Sequence, residues 1–281
     1  TGLVRHIYIR TGYHTGQIMV CLVLNARSQK QSGITSPQWN LLVDNFTKIN
    51  GMTSIFLNFN PENTNVILGK KTTALWGEDA IEDTIGGIRY RISPQSFYQV
   101  NPVQTEKLYR TALEFADIKP GETVWDLYCG IGTISLFIAR ELGSAGEVIG
   151  VEIVPEAIEN AKENARRNNI TNARFYAGAA EEVVPKLISA DGSESAKADV
   201  VVVDPPRKGC DQTLLDTIVR MSPNRIVYVS CDPATLARDV KVLGEKGYEV
   251  KKVRACDMFP MGGHVETVVL LSHKKADSYI H

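Results

Sequence analysis

The strongest constraint on the fold is a regular alternation of strand-like and helix-like segments from residue 93 onward. Apolar β-branched runs such as Val200–Val203 alternate with segments whose apolar residues recur at helical spacing, such as Pro155–Arg167. Strands separated by helices pair in parallel with the helices on both faces, so the pattern predicts a doubly wound, Rossmann-like α/β sheet. In chain order the predicted elements are helix Pro102–Ala116, strand Thr123–Leu127, helix Ile134–Leu142, strand Glu147–Val151, helix Pro155–Arg167, strand Arg174–Ala177, a helix near Glu181–Ile188, strand Ala198–Val203, helix Leu214–Met221, strand Arg225–Ser230, helix Pro233–Leu243, and strands Tyr248–Arg254 and Val265–Leu271.

No helix-like segment separates the last two strands, so we expect the sheet to end in an antiparallel hairpin. In sheets of this kind, ligands bind beyond the carboxyl ends of the parallel strands. The polar motifs described below either follow predicted strands or open the last one. The sequence therefore predicts a ligand site at that edge of the sheet.

Residues 1–92 lack this alternation and predict a small α+β accessory domain beside a larger domain over residues 93–281. The strand-like runs are Ile18–Leu24, Ile55–Phe59 and Asn65–Lys70, and Pro37–Lys48 is helix-like. Ile85-Gly86-Gly87-Ile88 predicts a hairpin, because two central glycines tolerate the positive φ of a type I′ turn. Arg89 and Arg91 then alternate with apolar residues. We interpret them as a solvated face, with nucleic-acid contact as the alternative.

The composition is that of an ordinary globular protein. Hydrophobic residues make up 43% and charged residues 22%, which excludes disorder, and the formal net charge is −1. Near-neutral charge argues against bulk nucleic-acid binding, so any such contact needs a local patch or a segment outside this chain. No apolar stretch reaches the ~18–20 residues of a membrane span, and nothing indicates a secretory signal. The chain does not begin with Met, and we expect it to be part of a longer protein.

The cysteines are widely spaced and odd in number. They are Cys21, Cys129, Cys210, Cys231 and Cys256. No CxxC or Cys/His pair occurs, so neither a disulfide scaffold nor a metal site is expected, and a reducing cytoplasm is the expected location. We expect all but Cys231 to be small buried residues, with Cys129 as the rival candidate for a functional thiol. The oligomeric state is not predicted.

A glycine turn after the first strand of the larger domain predicts a nucleotide cofactor site. Gly130 and Gly132 let a ligand approach the backbone, and the following helix start offers free N–H groups. Glu152 ends the next strand, where a carboxylate can accept both ribose hydroxyls. Asp126 would repel a pyrophosphate but suits a cationic sulfonium, and Ser135 replaces the third small residue, Gly or Ala, of the dinucleotide fingerprint. These features favour S-adenosylmethionine over NAD; a tight packing turn without a ligand is the alternative.

Asp204-Pro205-Pro206-Arg207 follows the buried run Val200–Val203. The two prolines fix the backbone, so Asp204 is expected to be a preorganised carboxylate where cofactor and substrate meet. Arg207 and the next residue, Lys208, suit a phosphate or a carbonyl oxygen. The alternative is a plain turn.

Cys231 is the candidate nucleophile. It precedes a helix with Asp232 as the expected N-cap and Pro233 at N1, and a helix N-terminus lowers a thiol pKa, although Asp232 partly opposes this. Glu266 opens the otherwise apolar last strand, where a carboxylate costs on the order of several kcal/mol unless it is paired or used. A functional Glu266 and an exposed strand-end residue are equal alternatives.

In the order and spacing of these motifs, the chain resembles the RNA uracil-5-methyltransferase family over about residues 81–271. The segments that carry the resemblance are Ser96-Phe97-Tyr98-Gln99-Val100-Asn101, Asp126–Gly132, Asp204–Arg207, Ser230–Pro233 and His264–Thr267. The resemblance implies an S-adenosylmethionine-dependent methyltransferase sheet without a metal. It implies that the cofactor is held by Gln99, Tyr128, Glu152 and Asp204. It further implies Cys231 as the nucleophile and Glu266 as the base that removes the C5 proton.

The implied reaction is methylation of C5 of a uridine in RNA. We expect 23S rRNA as the substrate; alternatives are tRNA uridine 54 and RNA cytosine C5. Many family members carry an N-terminal RNA-binding β-barrel and some an iron–sulfur cluster, and neither is visible, so the chain resembles a catalytic fragment. Other classes that fit less well are a small-molecule or protein methyltransferase with an inert Cys231, a silent RNA-binding module, and a dehydrogenase.

Overall fold

The computed structural model describes residues 2–190 and 198–274. The chain divides into two compact units, with the division between Tyr98 and Gln99. The sequence predicts a domain boundary after residue 92. Each unit is built around its own sheet.

The smaller unit contains a four-stranded sheet and a separate hairpin. Its elements are β1 (Val4–Thr11), β2 (Ile18–Leu24), a short 3₁₀ helix (Lys30–Ser32), α1 (Ser36–Phe46), β3 (Met52–Phe59), β4 (Lys71–Gly77), β5 (Ile81–Ile85) and β6 (Ile88–Ile92). The sheet order is β1-β2-β3-β4, with β2 and β3 parallel and the outer strands antiparallel to their neighbours. Trp39 of α1 is buried against this sheet. A mixed sheet with one helix is the predicted α+β class.

The hairpin of β5 and β6 is confirmed. Gly86 and Gly87 have φ of 56° and 80°, as a type I′ turn requires. The apolar residues of β6 are buried, and Arg89 on its other face is exposed. Arg91 forms an ion pair with Asp79.

Two strands of the smaller unit differ from the sequence prediction. β1 was not predicted because it is an edge strand of partly buried and exposed residues with no apolar run. The predicted strand Asn65–Lys70 is wrong, and the strand β4 begins directly after it. The side chain of Asn58 bonds both the N–H and the carbonyl of Gly69, and Asn60 bonds the carbonyls of Val66 and Ile67. These side chains occupy backbone groups that a strand would pair.

The larger unit is built on a seven-stranded sheet flanked by helices. Its elements are α2 (Pro102–Ala116), β7 (Thr123–Leu127), α3 (Thr133–Leu142), a 3₁₀ helix (Gly143–Ala145), β8 (Glu147–Glu152), α4 (Pro155–Arg167), β9 (Ala173–Ala177), α5 (Ala180–Ala190), β10 (Val200–Val203), α6 (Gln212–Met221), β11 (Arg225–Ser230), α7 (Pro233–Glu245), β12 (Tyr248–Cys256) and β13 (Glu266–His273). The sheet order is β12-β13-β11-β10-β7-β8-β9. Helices α2, α3 and α4 pack on one face, and α5, α6 and α7 on the other.

The predicted doubly wound sheet is confirmed. The strands β11, β10, β7, β8 and β9 are parallel, whereas β13 lies antiparallel between β11 and β12. The order reverses between β7 and β10, and a crevice for a ligand forms at such a switch point. The four valines of β10 are fully buried, as a central strand covered on both faces requires.

Candidate active site

Five of the predicted site residues lie along one edge of the larger sheet. Tyr128 follows β7, and Glu152 is the last residue of β8. Asp204 follows β10, and Cys231 follows β11. Glu266 is the first residue of β13, which runs antiparallel and so begins at the same edge. These strands are consecutive in the sheet, so the fold brings together residues that lie far apart in sequence.

The turn between β7 and α3 depends on unusual backbone conformations. Tyr128, Gly130 and Gly132 have φ of 87°, 54° and 82°. A left-handed conformation costs a non-glycine residue about 1–2 kcal/mol, so this geometry at Tyr128 is held by its surroundings. A Cβ on Gly132 would press on Ala161 and Phe175, whereas one on Gly130 would meet open space. Gly132 therefore serves packing, and Gly130 leaves the backbone open to a ligand.

Asp126 is a buried acid in front of this turn. The Ser135 hydroxyl donates to its Oδ2 at 2.5 Å, and its Oδ1 accepts no hydrogen bond from any described residue. Burial raises the pKa of Asp126 to about 7; the Ser135 hydrogen bond opposes this rise, and the charge of Glu152 adds to it. In the sequence, Ser135 stands out only as a departure from the dinucleotide fingerprint. Its role as the donor to Asp126 depends on the turn of α3 and was missed.

Glu152 is oriented by two backbone donors. The Gly130 N–H donates to Oε2 at 3.2 Å, and the Val154 N–H donates to Oε1 at 3.0 Å. The carboxylate therefore links the glycine turn to the segment after β8. A carboxylate held in this way keeps further acceptor positions for the hydroxyl groups of a ribose.

Asp204 lies at the centre of the row. Burial, with the charges of Glu266 and Asp126, raises the pKa of Asp204 to about 8. Acidic groups whose charge raises the pKa of a neighbour lie close to it, and a nearby cation would stabilise the ionised form of that neighbour. This edge of the sheet therefore suits a positively charged ligand.

Cys231, directly after β11, and Glu266, the first residue of β13, are neighbours at the sheet edge. Ser230 of β11 pairs with Thr267 of β13, so the next position at the edge is Cys231 on one side and Glu266 on the other. Glu266 is only 7% exposed, which excludes the alternative of an exposed strand-end residue. Burial raises the pKa of Glu266, and the charge of Arg207 lowers it. A base with a raised pKa next to a thiol is an arrangement suited to proton transfer.

The direction of the pKa shift of the Cys231 thiol differs from the sequence prediction. Its pKa is raised rather than lowered, first by burial and then by the negative charges of Glu266 and Asp204. A backbone hydrogen bond and the charge of Arg207 act in the opposite direction. Asp232 caps α7 as predicted, with its side chain accepting two backbone N–H groups. The helix N-terminus is present, but burial and the charges of two neighbouring carboxylates raise the pKa of the thiol more than the helix N-terminus lowers it.

Cys256 is a second thiol at this edge and was not predicted there. It ends β12, pairs with Glu266 in the ladder, and is half-buried rather than buried. Its sulfur lies 3.8 Å from the carbonyl oxygen of Gln104. It follows no motif, so only the strand register reveals its position. The other three cysteines, Cys21, Cys129 and Cys210, are buried as predicted.

Gln99 is half-buried at the start of the larger unit. Two residues later, Asn101 caps α2 as predicted and donates from its side-chain amide to the carbonyl of Met258 at 3.1 Å. This contact ties the segment to the loop after β12. The role of Gln99 as a cofactor ligand stays a prediction.

Among residues 2–190 and 198–274, no helix is long and apolar enough to cross a membrane. In the same part of the chain, no three His, Cys, Asp or Glu side chains are grouped as metal ligands.

The sequence profile of the family described as "tRNA (Uracil-5-)-methyltransferase" matches residues 69–274. The chain belongs to this family. The match includes the whole seven-stranded sheet, and it confirms the resemblance that the motifs indicated.

Curated relatives match nearly the whole chain. A Clostridium tetani protein named "Uncharacterized RNA methyltransferase" is 50% identical over 97% of this chain and 56% of its own length. A protein of the same name from Halalkalibacterium halodurans is 52% identical over 97% of this chain and 57% of its own length. This chain thus spans a little over half the length of these relatives.

Two solved structures share the fold. The tRNA (uracil-54, C5)-methyltransferase of Pyrococcus abyssi, in complex with S-adenosyl-L-homocysteine, superposes with a TM-score of 0.75 at 32% identity, covering 96% of this chain and 60% of that one. TYW2 of Pyrococcus horikoshii, in complex with MeSAdo, superposes with a TM-score of 0.56 at 18% identity, covering 98% of this chain and 92% of that one. The first match confirms the predicted methyltransferase fold, and the second shows likeness of fold alone.

Proposed function

We propose that this chain transfers a methyl group from S-adenosylmethionine to C5 of a uridine in RNA, through a transient bond between Cys231 and C6. The observation that carries the proposal is the position of Cys231 beside buried Glu266, at the sheet edge that also holds Asp204 and the glycine turn. Family membership and the names of the relatives support the reaction class. In this proposal the larger unit is the catalytic domain and the smaller unit an accessory domain.

The residues at the edge fit S-adenosylmethionine. Gly130 leaves the turn open, and Glu152 is fixed by two backbone donors with acceptor positions left for a ribose. Asp126 has a buried oxygen that no described residue satisfies. Burial raises the pKa values of Asp126 and Asp204, and the charges of other acids at this edge add to the rise, so a positively charged group would be favoured here. We propose Gln99, Tyr128, Gly130, Glu152 and Asp204 as the cofactor-binding residues. When bound, the cofactor supplies an electrophilic methyl group on a cationic sulfur.

Cys231 has to act first, because C5 of uracil is a poor nucleophile. The thiolate adds to C6, and the electron pair of the C5–C6 bond moves toward O4 to give an enolate. C5 of this enolate can accept the methyl group. Arg207, whose charge acts on both Cys231 and Glu266, is placed to stabilise the negative charge that develops. The target base has to leave its stack to reach this edge, at a cost of roughly a few kcal/mol.

Glu266 completes the reaction in this proposal. After methyl transfer, C5 carries both a methyl group and a proton, and the thiolate cannot leave until that proton is removed. Burial raises the pKa of Glu266, which makes its carboxylate a stronger base. Removal of the proton restores the C5–C6 double bond and releases Cys231.

The class of RNA substrate is a separate part of this proposal. We expect 23S rRNA, and tRNA is the alternative favoured by the Pyrococcus abyssi enzyme, whose name specifies tRNA uracil 54. Cytosine C5 methylation would use the same thiol chemistry. An RNA substrate also supports a cytoplasmic location.

The proposal is tested by incubating the protein with methyl-labelled S-adenosylmethionine and separately with purified rRNA and tRNA. Digestion to nucleosides and mass spectrometry should show labelled 5-methyluridine. Labelled 5-methylcytidine would instead support a cytosine enzyme, and label in neither RNA would contradict the proposal. The RNA that takes up label identifies the substrate class.

A further inference from the structure

The loop between β10 and α6, residues 204–210, carries both Asp204 and Arg207, and its conformation is fixed by side chains of α7. The Thr235 hydroxyl donates to the carbonyl of Arg207 at 3.1 Å. Arg238 donates through one guanidinium nitrogen to the carbonyls of Lys208, at 2.9 Å, and Cys210, at 3.1 Å. The backbone N–H of Cys210 donates to Asp239 at 2.8 Å. Helix α7 thus binds three successive parts of this loop.

Asp239 is the anchor of this arrangement. It is fully buried, and its carboxylate accepts from the Tyr228 hydroxyl at 2.6 Å and from Arg238 Nε at 2.8 Å, in addition to the backbone of the loop. A buried carboxylate with this many donors is geometrically constrained, and it fixes the direction of its neighbours. Gly209 fits the arrangement closely, because a Cβ there would lie 2.6 Å from both the Arg238 guanidinium and the Asp239 carboxylate.

The same helix begins immediately after Cys231. The charged groups that act on the thiol are Glu266 from β13 and Asp204 and Arg207 from the loop, with Asp232 next to it in the chain at the start of α7. The Arg207 guanidinium is the cation in this set. The Thr235 hydroxyl contacts both the Arg207 carbonyl, at 3.1 Å, and the carbonyl of Asp232, at 3.2 Å, so the Arg207 backbone lies close to the residue that follows Cys231. The Arg207 side chain is exposed, so its position depends on how the loop backbone is held.

We propose that Arg238 and Asp239 are positioning residues that fix the 204–210 loop on α7, so that the Arg207 guanidinium stays beside Cys231 and favours its thiolate. The inference rests on the proposed function, since it concerns the thiol that the function assigns as nucleophile. Neither Arg238 nor Asp239 contacts the reacting atoms in this account. Their effect is exerted through Arg207.

The test is the pH dependence of Cys231 alkylation in the whole chain. Iodoacetamide is added between pH 6 and 10, and the modified peptide is quantified by mass spectrometry, which separates Cys231 from Cys256. Arg207→Ala should raise the apparent pKa of Cys231 by about 1, because a neighbouring opposite charge shifts a pKa by this order. Arg238→Ala should raise it by about 0.5–1, which at pH 8 slows alkylation roughly three- to tenfold.

Two further variants make the result specific. Lys241→Ala removes a positive charge from an exposed position on the same helix and should leave the profile unchanged. The double variant Arg207→Ala/Arg238→Ala should match Arg207→Ala alone, because Arg238 acts through Arg207. If Arg238→Ala does not fold, Thr235→Val removes the contact with the Arg207 carbonyl and should shift the profile in the same direction.

An unchanged profile in Arg238→Ala, while Arg207→Ala shifts, would overturn the positioning role. A shift in the double variant equal to the sum of the single shifts would also overturn it, since Arg238 would then act directly by its own charge. Alkylation requires neither RNA nor a methyl donor. A negative result here therefore leaves the proposed methyl transfer standing, and failure of methyl transfer does not affect this test.

Discussion

Cys231 and Glu266 perform different steps of the proposed reaction, so replacing them should stop it at different points. Both side chains lie at adjacent strand ends, but only the thiol can form a bond to C6. The sequence motifs singled out both residues as candidates. They did not give the sign of the thiol pKa shift, because that sign depends on Asp204 and Glu266, which come from distant parts of the chain.

Cys231→Ala should abolish methylation while leaving S-adenosylmethionine affinity nearly unchanged, because no addition to C6 can occur. Turnover is measured with labelled cofactor and affinity by calorimetry. Cys256→Ala is the matched control: it removes the other half-buried thiol at the same edge and should retain activity. Undiminished methylation by Cys231→Ala would remove the nucleophile assignment.

Glu266→Gln should allow addition and methyl transfer but block release, because the amide cannot take the C5 proton. A covalent protein–RNA complex should then accumulate and appear as a retarded band on a denaturing gel. Normal turnover without such a band would show that Glu266 is not the base.

The raised pKa of Asp204 predicts that the stability of the folded state depends on pH. Its folded pKa of about 8 lies above its ordinary value of 3.8, so between these pH values the folded state binds more protons than the unfolded state. The stability contributed by this group is therefore present below about pH 4 and is lost as the pH rises through about 8. Asp204→Asn removes this loss, which over the three pH units from 5 to 8 amounts to about 4 kcal/mol at most. The Tm of the variant relative to the parent should therefore be higher at pH 9 than at pH 5. Equal differences at the two pH values would contradict the raised pKa.

At the scale of elements, the strands and helices of the larger unit follow from hydrophobic periodicity. Every predicted strand and helix there is present, with ends that differ by a few residues, as at Val265–Leu271 against β13 (Glu266–His273). The sequence could not place β13 between β11 and β12, because that choice depends on pairing between distant segments. In the smaller unit, β1 lacked an apolar run, and Asn65–Lys70 is held as a loop by asparagine side chains.

Two glycine-to-alanine substitutions test how these elements pack, and they should change the stability in opposite directions. A Cβ on Gly150 of β8 would lie 2.6 Å from the ring of Phe175 and 2.9 Å from the sulfur of Cys129, so Gly150→Ala should destabilise the larger unit by about 1–3 kcal/mol. Gly244 of α7 has no atom within 4 Å of the added Cβ, and Gly244→Ala should stabilise the helix by about 0.5–1 kcal/mol. Urea unfolding measures both, and a stable Gly150→Ala variant would contradict the close packing of β8 and β9.

At the scale of the whole molecule, function depends on the order of strands across the sheet. That order brings the glycine turn after β7, the carboxylates of Asp204 and Glu266, and the thiol of Cys231 to one edge. Each of these groups lies at the end of a different strand. The chain spans a little over half the length of its curated relatives. Its formal net charge of −1 means that the RNA contacts of the proposed reaction need a local basic patch.

The bond between Cys231 and C6 of the target uridine is the central claim, and it can be measured directly with RNA that carries 5-fluorouridine. Fluorine at C5 cannot leave as a cation, so elimination is blocked and the complex should persist after methyl transfer. Intact mass spectrometry should show the protein bound to RNA that carries one added methyl group, and digestion should place the bond on Cys231. A normal rate of methylation of ordinary RNA combined with no covalent complex on the fluorinated RNA, or a bond at another residue, would contradict the account.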